Sequence, residues 1–307
     1  MKSVLITGIN GQDGTILSHL LKKRFPSITI NGTSRTDVSN FSMSSAKVYK
    51  TNLENNDAVE NLIKKLRPDT IFHFSGQSSV SKSFEKPEET YASHYHTTKN
   101  LLDAIEKYSN STRLFFSSSS ECFGSSKARF NENTPHNPQS PYAKAKSDTV
   151  NLIHNHRKNN GSRIIIGYFT NHESLLRPDL YVTKKIVNYA KEATNKNKLR
   201  LGNINIFRDW GWAEDYMNAS IELVINQKFD DYVIGTGISH SLEHFVQETF
   251  SNFGINDYKN YIETDENLFR SSDIKYSYSD PRKIFKDIGW TASKSFSDIV
   301  TTLCKNS

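Results

Sequence analysis

The sequence predicts an α/β fold built on a parallel sheet with helices on both faces. Over the first half of the chain, short apolar runs of strand type alternate with longer amphipathic runs of helix type. The strand-type runs are apolar at consecutive positions, which is typical of strands buried on both faces. Glycines at three-residue spacing follow the first run. These three observations predict a Rossmann-type doubly wound sheet.

The alternation begins at residue 3 and continues to residue 171. The predicted strands are 3–8, 28–35, 69–76, 113–119 and 163–171, and the predicted helices are 16–25, 56–67, 97–109 and about 141–158. Beyond residue 171 the pattern is less regular, which suggests a smaller lobe interleaved with the first. We therefore predict a Rossmann domain over 1–171, to which segments at about 205–240 return, and a ligand-binding lobe over the remainder of 172–307.

Composition and charge narrow the function classes. The chain has 307 residues and a formal net charge of +6, with its basic residues scattered along the sequence. This favours anionic small ligands over nucleic acid. The N-terminal apolar stretch is too short for a signal peptide or a membrane span, and the two cysteines have no CxxC spacing. We expect a cytoplasmic protein that binds neither nucleic acid nor a membrane.

The histidines do not form a metal-binding pattern. Two close pairs occur, His94 with His96 and His154 with His156, but neither lies in an HExxH frame or near clustered acids. We expect no metal site, and we interpret these four residues as surface histidines or as histidines with satisfied hydrogen bonds.

A glycine-rich turn, TGINGQDGTIL, joins the first strand to the first helix. Gly8, Gly11 and Gly14 allow a tight turn, and the unpaired N–H groups of a helix N-terminus suit a pyrophosphate. The sequence has no GxxxxGK[ST] stretch, which argues against a P-loop. The turn, which includes Gln12 and Asp13, is therefore predicted to bind a dinucleotide.

The second strand ends in Ser34 and Arg35 and not in an acid. An acid at this position would bind the ribose 2′-hydroxyl of NAD, whereas an arginine suits the 2′-phosphate of NADP. Arg35 favours NADP, and Asp37 close by keeps NAD as the alternative. Residues 1–171 are accordingly predicted to form an NADP-binding domain.

The stretch SPYAKAK predicts a helix start that carries a reactive pair. Ser140 suits an N-cap and Pro141 the first helical position, and Tyr142 and Lys146 lie one turn apart on one face. A lysine ammonium beside a phenol favours the phenolate. We therefore expect the pKa of Tyr142 to lie below its usual value of about 10, so that Tyr142 can take a proton from a sugar hydroxyl as hydride leaves.

The strand at 113–119 runs into SSSSECFG, a stretch that by itself is typical of a polar turn. Together with TGxxGQDG, SPYAKAK, FTNHES (169–174), VTKKI (182–186), FRDWG (207–211) and VIGTG (233–237), it resembles the GDP-mannose 4,6-dehydratase family of extended short-chain dehydrogenases/reductases. The likeness runs from residue 3 to about 300. Its most specific motifs are TGxxGQDG and NHES.

The resemblance implies four catalytic residues, Ser119, Glu121, Tyr142 and Lys146. Ser119 falls on the family's catalytic threonine, Glu121 on the acid and base, and Tyr142 with Lys146 on the pair for C4 oxidation. In such enzymes NADP takes hydride from C4 of a nucleotide-linked hexose, water leaves across C5–C6, and the hydride returns to C6. GDP-mannose or a related GDP-hexose is the implied substrate. Glu121 then needs a pKa that is raised by burial.

The same resemblance implies the ligand-binding residues. Those for the nucleotide sugar are Ser78, Asn171, Lys185, Arg208 and Arg270. Those for the cofactor are Gly8, Gly11, Gln12, Asp13, Gly14, Arg35, Tyr142 and Lys146. Arginine and lysine side chains that face a diphosphate are the expected chemistry. Trp210 and Trp212 are expected to pack in a core and not to stack on the base.

The chain departs from the family pattern at several positions. Ser79 stands where the family usually has histidine, Ala92 where asparagine is common, and Leu175 and Leu176 where arginines are paired. The hexose is therefore not fixed as mannose. The basic loop of tetrameric members is reduced to Arg35, so we predict a homodimer, with a homotetramer as the alternative.

Two other functions stay open at this stage. A nucleotide-sugar C4 epimerase or reductase on the same scaffold also needs Tyr142 and Lys146 but has no task for Glu121. A non-catalytic NADP-binding sensor would need the glycine turn but would have no reason to combine Ser119 with Tyr142 and Lys146.

Overall fold

The computed structural model describes residues 1–36, 46–194, 197–269 and 273–307. The strands are β1 (Ser3–Thr7), β2 (Thr29–Ser34), β3 (Ala46–Lys50), β4 (Thr70–His73), β5 (Arg113–Ser119), β6 (Ile164–Phe169), β7 (Asn171–Glu173), β8 (Leu199–Leu201), β9 (Phe207–Trp212), β10 (Asp231–Ile234), β11 (Ser239–Ser241) and β12 (Ile262–Thr264). Seven of them form a parallel sheet in the order β10-β6-β5-β4-β1-β2-β3. The predicted parallel sheet is confirmed.

Helices cover both faces of this sheet. They are α1 (Gln12–Arg24), α2 (Asn56–Leu66), α3 (Val80–Glu85), α4 (Pro87–Tyr91), α5 (Thr97–Tyr108), α6 (Pro141–Asn160), α7 (Val182–Lys191), α8 (Ala213–Ile225), α9 (Leu242–Asn252), α10 (Arg282–Ile288) and α11 (Phe296–Lys305). One apolar core lies between the sheet and α1 with α8, and a second lies between the sheet and α2, α5 and α6. The doubly wound fold follows, because every central strand is buried from both sides.

The carboxyl ends of the central strands meet at one edge of the sheet. β1 leads into the glycine turn, β5 into a 3-10 turn over Ser120–Phe123, and β6 into β7. In open parallel sheets this edge is where ligands bind. The fold therefore brings the predicted cofactor turn, the serine run and the NHES segment to the same side of the molecule.

A third core belongs to the smaller part of the chain. β11, β9 and β7 form one small sheet and β12 pairs with β8, and α7, α9 and α11 pack around them. Trp210 and Trp212 are buried in this core, where the Trp210 ring contacts Phe245 and Phe296. The two tryptophans pack as expected. α8 and β10 lie on the larger sheet, and the domain boundary near residue 171 stays a prediction.

The structure adds elements that the sequence pattern did not predict. β3 is an edge strand whose five residues are only half-buried or exposed, so its sequence, AKVYK, lacks the apolar run of a central strand. α1 begins at Gln12 and not at residue 16, because its first turn carries the glycine motif and no apolar periodicity. In the described ranges, no helix is both long enough and apolar enough to cross a bilayer.

Candidate active site

A cavity of about 1020 Å³ opens at the carboxyl ends of the central strands. All the predicted site residues within the described ranges line it. They are Gly8, Gly11, Gln12, Asp13, Gly14, Arg35, Ser78, Ser119, Glu121, Tyr142, Lys146, Asn171, Lys185 and Arg208. Arg270, the remaining predicted residue, lies outside the described residues. Residues that are distant in the sequence thus share one cavity, as a single reaction site requires.

The glycine turn has no room for side chains at Gly8 and Gly14. Gly8 has a φ of +71°, which favours glycine, and its carbonyl oxygen accepts a 3.0 Å hydrogen bond from the Gly11 N–H. A Cβ at Gly14 would lie 2.5 Å from that carbonyl oxygen. The turn leads directly into the N-terminus of α1. This backbone cradle fits the pyrophosphate of a dinucleotide.

The second half of the turn is bonded to the NHES segment. The Ser174 hydroxyl donates to Gln12 Oε1 at 2.7 Å, and Gln12 Nε2 donates to the His172 carbonyl at 3.3 Å. His172 Nε2 lies 3.1 Å from Asp13 Oδ1. Burial disfavours the Asp13 carboxylate, but the His172 charge and hydrogen bonds from His172 and Gln12 outweigh burial and lower the pKa of Asp13 to about 2. Side-chain hydrogen bonds therefore hold TGxxGQDG and NHES, the two motifs most specific to the family, together.

The rim beyond β2 is polar and carries a cation. Asn10 donates to the Ser34 hydroxyl at 2.9 Å, and the Thr36 N–H donates to the same oxygen at 3.2 Å. Arg35 is exposed on the cavity wall. The described residues directly after β2 include no acid, and Asp37 lies outside the described residues. The rim is thus suited to an anionic group.

The serines at the end of β5 have different partners. Ser117 donates to the His73 carbonyl at 3.1 Å, inside the sheet. Ser118 lies 3.5 Å from the Cys122 sulfur. Ser119 caps the 3-10 turn, and its hydroxyl accepts from the Glu121 N–H at 3.2 Å. The run is therefore a strand end that turns its last hydroxyl and the following acid toward the cavity.

The Tyr142–Lys146 pair stands on the first turns of α6, whose predicted N-cap, Ser140, is confirmed. Lys146 is buried and its Nζ donates to the Ser117 carbonyl at 2.6 Å, while Nζ lies 6.0 Å from the centre of the Tyr142 ring. The His94 ring contacts Tyr142 edge-on, with ring centres 5.4 Å apart.

The predicted lowering of the Tyr142 pKa is wrong for this structure. Burial raises the pKa of Tyr142 well above its usual value, and it outweighs the lowering effect of a hydrogen bond with Ser119. Burial also lowers the pKa of Lys146 to about 8. Desolvation thus opposes charge on both members of the pair.

Glu121 lies beside this pair. It is half-buried, it lines the cavity, and its charge contributes to the raised pKa of Tyr142. An acid and a phenol therefore face the same space, which is what two proton transfers on one sugar require. The raised pKa expected for Glu121 itself stays a prediction.

The four paired histidines differ in environment. His96 is exposed, and His154 and His156 bond to side chains of β10 and of the loop before β6. His94 is buried, and its Nε2 lies 2.8 Å from the Gln77 carbonyl oxygen, so this nitrogen carries the proton. Its Nδ1 is buried with no partner among the described residues. The expectation of satisfied hydrogen bonds is wrong for that atom.

The cationic residues of the smaller lobe are anchored at the far wall of the cavity. Arg208 is buried, and its Nη1 donates to the carbonyls of Phe207 and Ile274. Lys185 is exposed, and its Nζ donates to the Arg200 carbonyl at 3.1 Å. Charge-assisted contacts from such groups suit a diphosphate.

The sequence analysis missed a second tyrosine at the site. Tyr181 donates to or accepts from the Ser78 hydroxyl at 2.7 Å, and Arg177 stacks on its ring. Both residues line the cavity. Arg177 and Tyr181 lie between the NHES and VTKKI motifs, so their place at the site was open to prediction, whereas the contact of Tyr181 with the distant Ser78 was not.

The chain is similar to known proteins of one family. The sequence model of the GDP-mannose 4,6 dehydratase family matches residues 5–303. GDP-mannose 4,6 dehydratase 2 of Arabidopsis thaliana is 31% identical over 318 residues, which cover 97% of this chain and 85% of the relative. GDP-mannose 4,6-dehydratase of Vibrio cholerae is 29% identical over 338 residues, with 94% and 89% covered.

Solved structures show the same fold. A dTDP-glucose 4,6-dehydratase from Streptomyces venezuelae, solved with NAD, matches with a TM-score of 0.88 and 17% identity over 99% of this chain and 96% of that one. A UDP-glucose 4-epimerase from Thermus thermophilus, also with NAD, gives 0.86 and 21% over 99% and 98%. The chain belongs to the GDP-mannose 4,6-dehydratase family, and the predicted enzyme class, a nucleotide-sugar 4,6-dehydratase, is confirmed.

Proposed function

We propose that this family member is an NADP-dependent enzyme that converts GDP-mannose, or a closely related GDP-hexose, to its 4-keto-6-deoxy derivative. The observation that carries the proposal is that the glycine turn, Glu121 and Tyr142 line one cavity. A C4 epimerase or reductase would use the turn and Tyr142 but would leave Glu121 without a task. The relatives that match over nearly the whole chain are named for GDP-mannose.

NADP is the proposed cofactor, and it would be held by the glycine cradle and by Arg35. When bound, a nicotinamide dinucleotide accepts a hydride from C4 of the sugar and returns it to C6. A Cβ at Gly8 or Gly14 would meet backbone atoms at 3.0 or 2.5 Å, so glycine at both positions lets the turn close against the start of α1, where a pyrophosphate would bind, and Arg35 supplies the charge for a 2′-phosphate. The structural relatives that contain NAD support a dinucleotide at this position.

Tyr142 is the proposed base for the C4 hydroxyl. Its phenolate takes the O4 proton as the C4–H bond breaks and becomes the neutral phenol, and the Ser119 hydroxyl holds O4 in place. Because burial disfavours the phenolate, Tyr142 needs a positive charge close by at that moment. Lys146 supplies it from behind the ring while it is protonated, which its pKa of about 8 allows at neutral pH.

Glu121 is the proposed acid and base for the loss of water. The C4 ketone makes the C5 proton acidic, so the Glu121 carboxylate removes it and then delivers a proton to the departing C6 hydroxyl, which leaves as water. After hydride has returned to C6, C5 is reprotonated by the proton that Tyr142 took from O4, which restores the Tyr142 phenolate and leaves Glu121 as the carboxylate. That proton exchanges with solvent while Tyr142 holds it, so a solvent hydrogen enters at C5.

The diphosphate is proposed to lie between Lys185 and Arg208, with Asn171 near the sugar. Arg208 is held by two backbone carbonyls, so its position is fixed before a ligand arrives. Arg270, which lies outside the described residues, is the proposed fourth member of this group. The protein is further proposed to act as a homodimer in the cytoplasm.

The experiment incubates the protein and NADP with GDP-mannose and with GDP-, CDP-, UDP- and dTDP-linked hexoses, and follows the ultraviolet absorbance of the 4-keto sugar in alkali. We expect product from a GDP-hexose, with one deuterium at C5 when the reaction runs in D₂O. A panel with no 4-keto product would overturn the proposal.

The variant that isolates the elimination step is Glu121→Gln. We expect it to bind the nucleotide sugar normally but to lose about 10²- to 10⁴-fold in kcat for dehydration. Glu106→Gln, an exposed change on α5, is the matched control and should retain full activity. Full dehydration by Glu121→Gln would remove the proposed role of this acid.

A further inference from the structure

A hydrogen bond joins the two parts of the chain across the cavity. Tyr181 is the N-cap residue of α7 in the smaller lobe, and Ser78 lies in the loop after β4 of the large sheet. Their hydroxyl oxygens are 2.7 Å apart, and both residues line the cavity. Each hydroxyl can donate and accept, so the pair can exchange this bond for bonds to a ligand.

The Tyr181 ring is held from behind by a buried ion pair. The Arg177 guanidinium carbon lies 4.6 Å from the centre of the ring, in cation–π contact. Arg177 Nε donates to Glu173 at 2.9 Å, and the Thr183 hydroxyl donates to the same carboxylate oxygen at 2.9 Å. Glu173 is only 3% exposed. The Tyr181 hydroxyl is therefore fixed by a built support and is not a loose surface group.

Tyr181 lines the same cavity as the reactive residues Ser119, Glu121 and Tyr142. The proposed function already gives O4 the partners Tyr142 and Ser119, and gives O6 the partner Glu121. C1 carries the diphosphate. The hydroxyls on C2 and C3 are then the part of the hexose that still needs partners.

We propose that Tyr181 is a specificity-determining residue that hydrogen-bonds the C2–C3 side of the hexose, with Ser78 as its partner. This inference rests on the proposed function and adds to it a site that selects the sugar. A site built to bond a hydroxyl rejects an analogue that lacks it, because its own polar groups are then left unpaired. The bond between Ser78 and Tyr181 keeps both groups satisfied until the sugar arrives.

The test compares wild type and Tyr181→Phe with GDP-mannose and with its 2-deoxy and 3-deoxy analogues. The variant keeps the ring and its Arg177 contact and loses only the hydroxyl. We expect KM for GDP-mannose to rise about 3- to 10-fold, the worth of one neutral hydrogen bond, with little change in kcat. With one of the two deoxy analogues, wild type and variant should have the same KM. An equal rise with all three substrates, or no rise with any, would overturn the inference.

Tyr189→Phe is the matched control. Tyr189 is on the same helix, but its hydroxyl bonds to backbone carbonyls of residues 194 and 197, and it does not line the cavity. Its KM values should equal those of wild type.

Calorimetric Kd values for the same three sugars separate the two proposals, because binding needs no turnover. Wild type that binds GDP-mannose but forms no 4-keto product from it or from any other sugar of the panel would contradict the proposed function alone. Equal Kd values for wild type and Tyr181→Phe would contradict the role of Tyr181 alone, and a protein that binds none of the three sugars would contradict both.

Discussion

Burial and charge act against each other at Tyr142 and Lys146. A cation next to a phenol favours the phenolate, and this local argument predicts a lowered pKa for Tyr142. Tyr142 is half-buried at the cavity wall, where desolvation dominates and the pKa of the phenol is raised. Tyr142 can therefore act as a base only while Lys146 is protonated and other positive charges lie close to the phenolate.

This balance predicts an alkaline limit to activity. Burial lowers the pKa of Lys146 to about 8, so the cation that supports the Tyr142 phenolate is present below that pH and is lost above it. We expect kcat/KM to fall with a midpoint near pH 8. The measurement is a pH profile of kcat/KM with buffers of constant ionic strength.

Lys144→Met is the control for that profile. Lys144 lies two residues away on the exposed face of α6, in a surface ion pair with Asp148. Removing its charge should leave the midpoint where it is. A wild-type kcat/KM that stays level to about pH 10, where an ordinary lysine titrates, would contradict the assignment.

Local motifs made some residues predictable and left others hidden. Gly8, Ser119 and Tyr142 each stand in a motif next to a strand or helix end, and the structure brings them to one cavity. The buried Nδ1 of His94 and the bond between Ser78 and Tyr181 depend on residues far apart in sequence. No local pattern reports such contacts, because they are set by how the loops pack.

At the scale of elements, α1 and β7 are joined by the side chains of two motifs. The Asp13 carboxylate at the start of α1 faces His172 of β7, and Gln12 faces Ser174. His172 Nδ1 lies 2.8 Å from the Thr170 carbonyl oxygen, so oxygen atoms face both ring nitrogens. This contact ties the cofactor turn to the segment that carries Asn171.

His172→Gln should therefore destabilise the protein. It removes the imidazole ring that contacts the Asp13 carboxylate, whose side chain is only 21% exposed. We expect the free energy of unfolding to fall by about 2 kcal/mol, between the values for exposed and fully buried pairs. Urea unfolding at neutral pH is the measurement. In wild type the contribution is complete above the ordinary aspartate pKa near 4 and is lost as pH falls toward about 2, because the folded-state pKa of Asp13 is lowered.

His19→Gln makes the same chemical change on the exposed face of α1. It should alter the free energy of unfolding by less than about 0.5 kcal/mol. If the two variants unfolded at the same urea concentration, the contact between His172 and Asp13 would not contribute to the free energy of unfolding.

Strands were predictable from the sequence where both of their faces are buried. Central strands such as β1 and β6 are mostly apolar and were found from their composition. β3 was not predicted, because an edge strand needs no continuous apolar run. α3 and α4 were not predicted either, since each has only five or six residues and little periodicity.

At the scale of the whole molecule, the cavity lies between the large sheet and the smaller lobe. The cofactor turn, the rim with Arg35 and the reactive pair belong to the large sheet, whereas Lys185 and Arg208 belong to the smaller part. The irregular pattern after residue 171 predicted an interleaved chain path. It had segments at about 205–240, which include β10, returning to the first domain. It did not predict a strand there beside β6, because a four-residue strand carries little pattern of its own.

Ligand binding to this cavity should stabilise the entire fold, and that gives a test of the cofactor. A ligand present at about 100 times its Kd adds about 2.7 kcal/mol to the free energy of unfolding. We expect NADP to raise the Tm of wild type more than NAD does at equal concentration. Arg35→Ala should weaken NADP binding about 10- to 100-fold, the worth of a charged hydrogen bond, and should leave NAD binding nearly unchanged. Lys47→Ala, which removes an exposed cation on β3 outside the cavity, should change neither. Equal losses for both cofactors in Arg35→Ala would show that Arg35 does not read the 2′-phosphate.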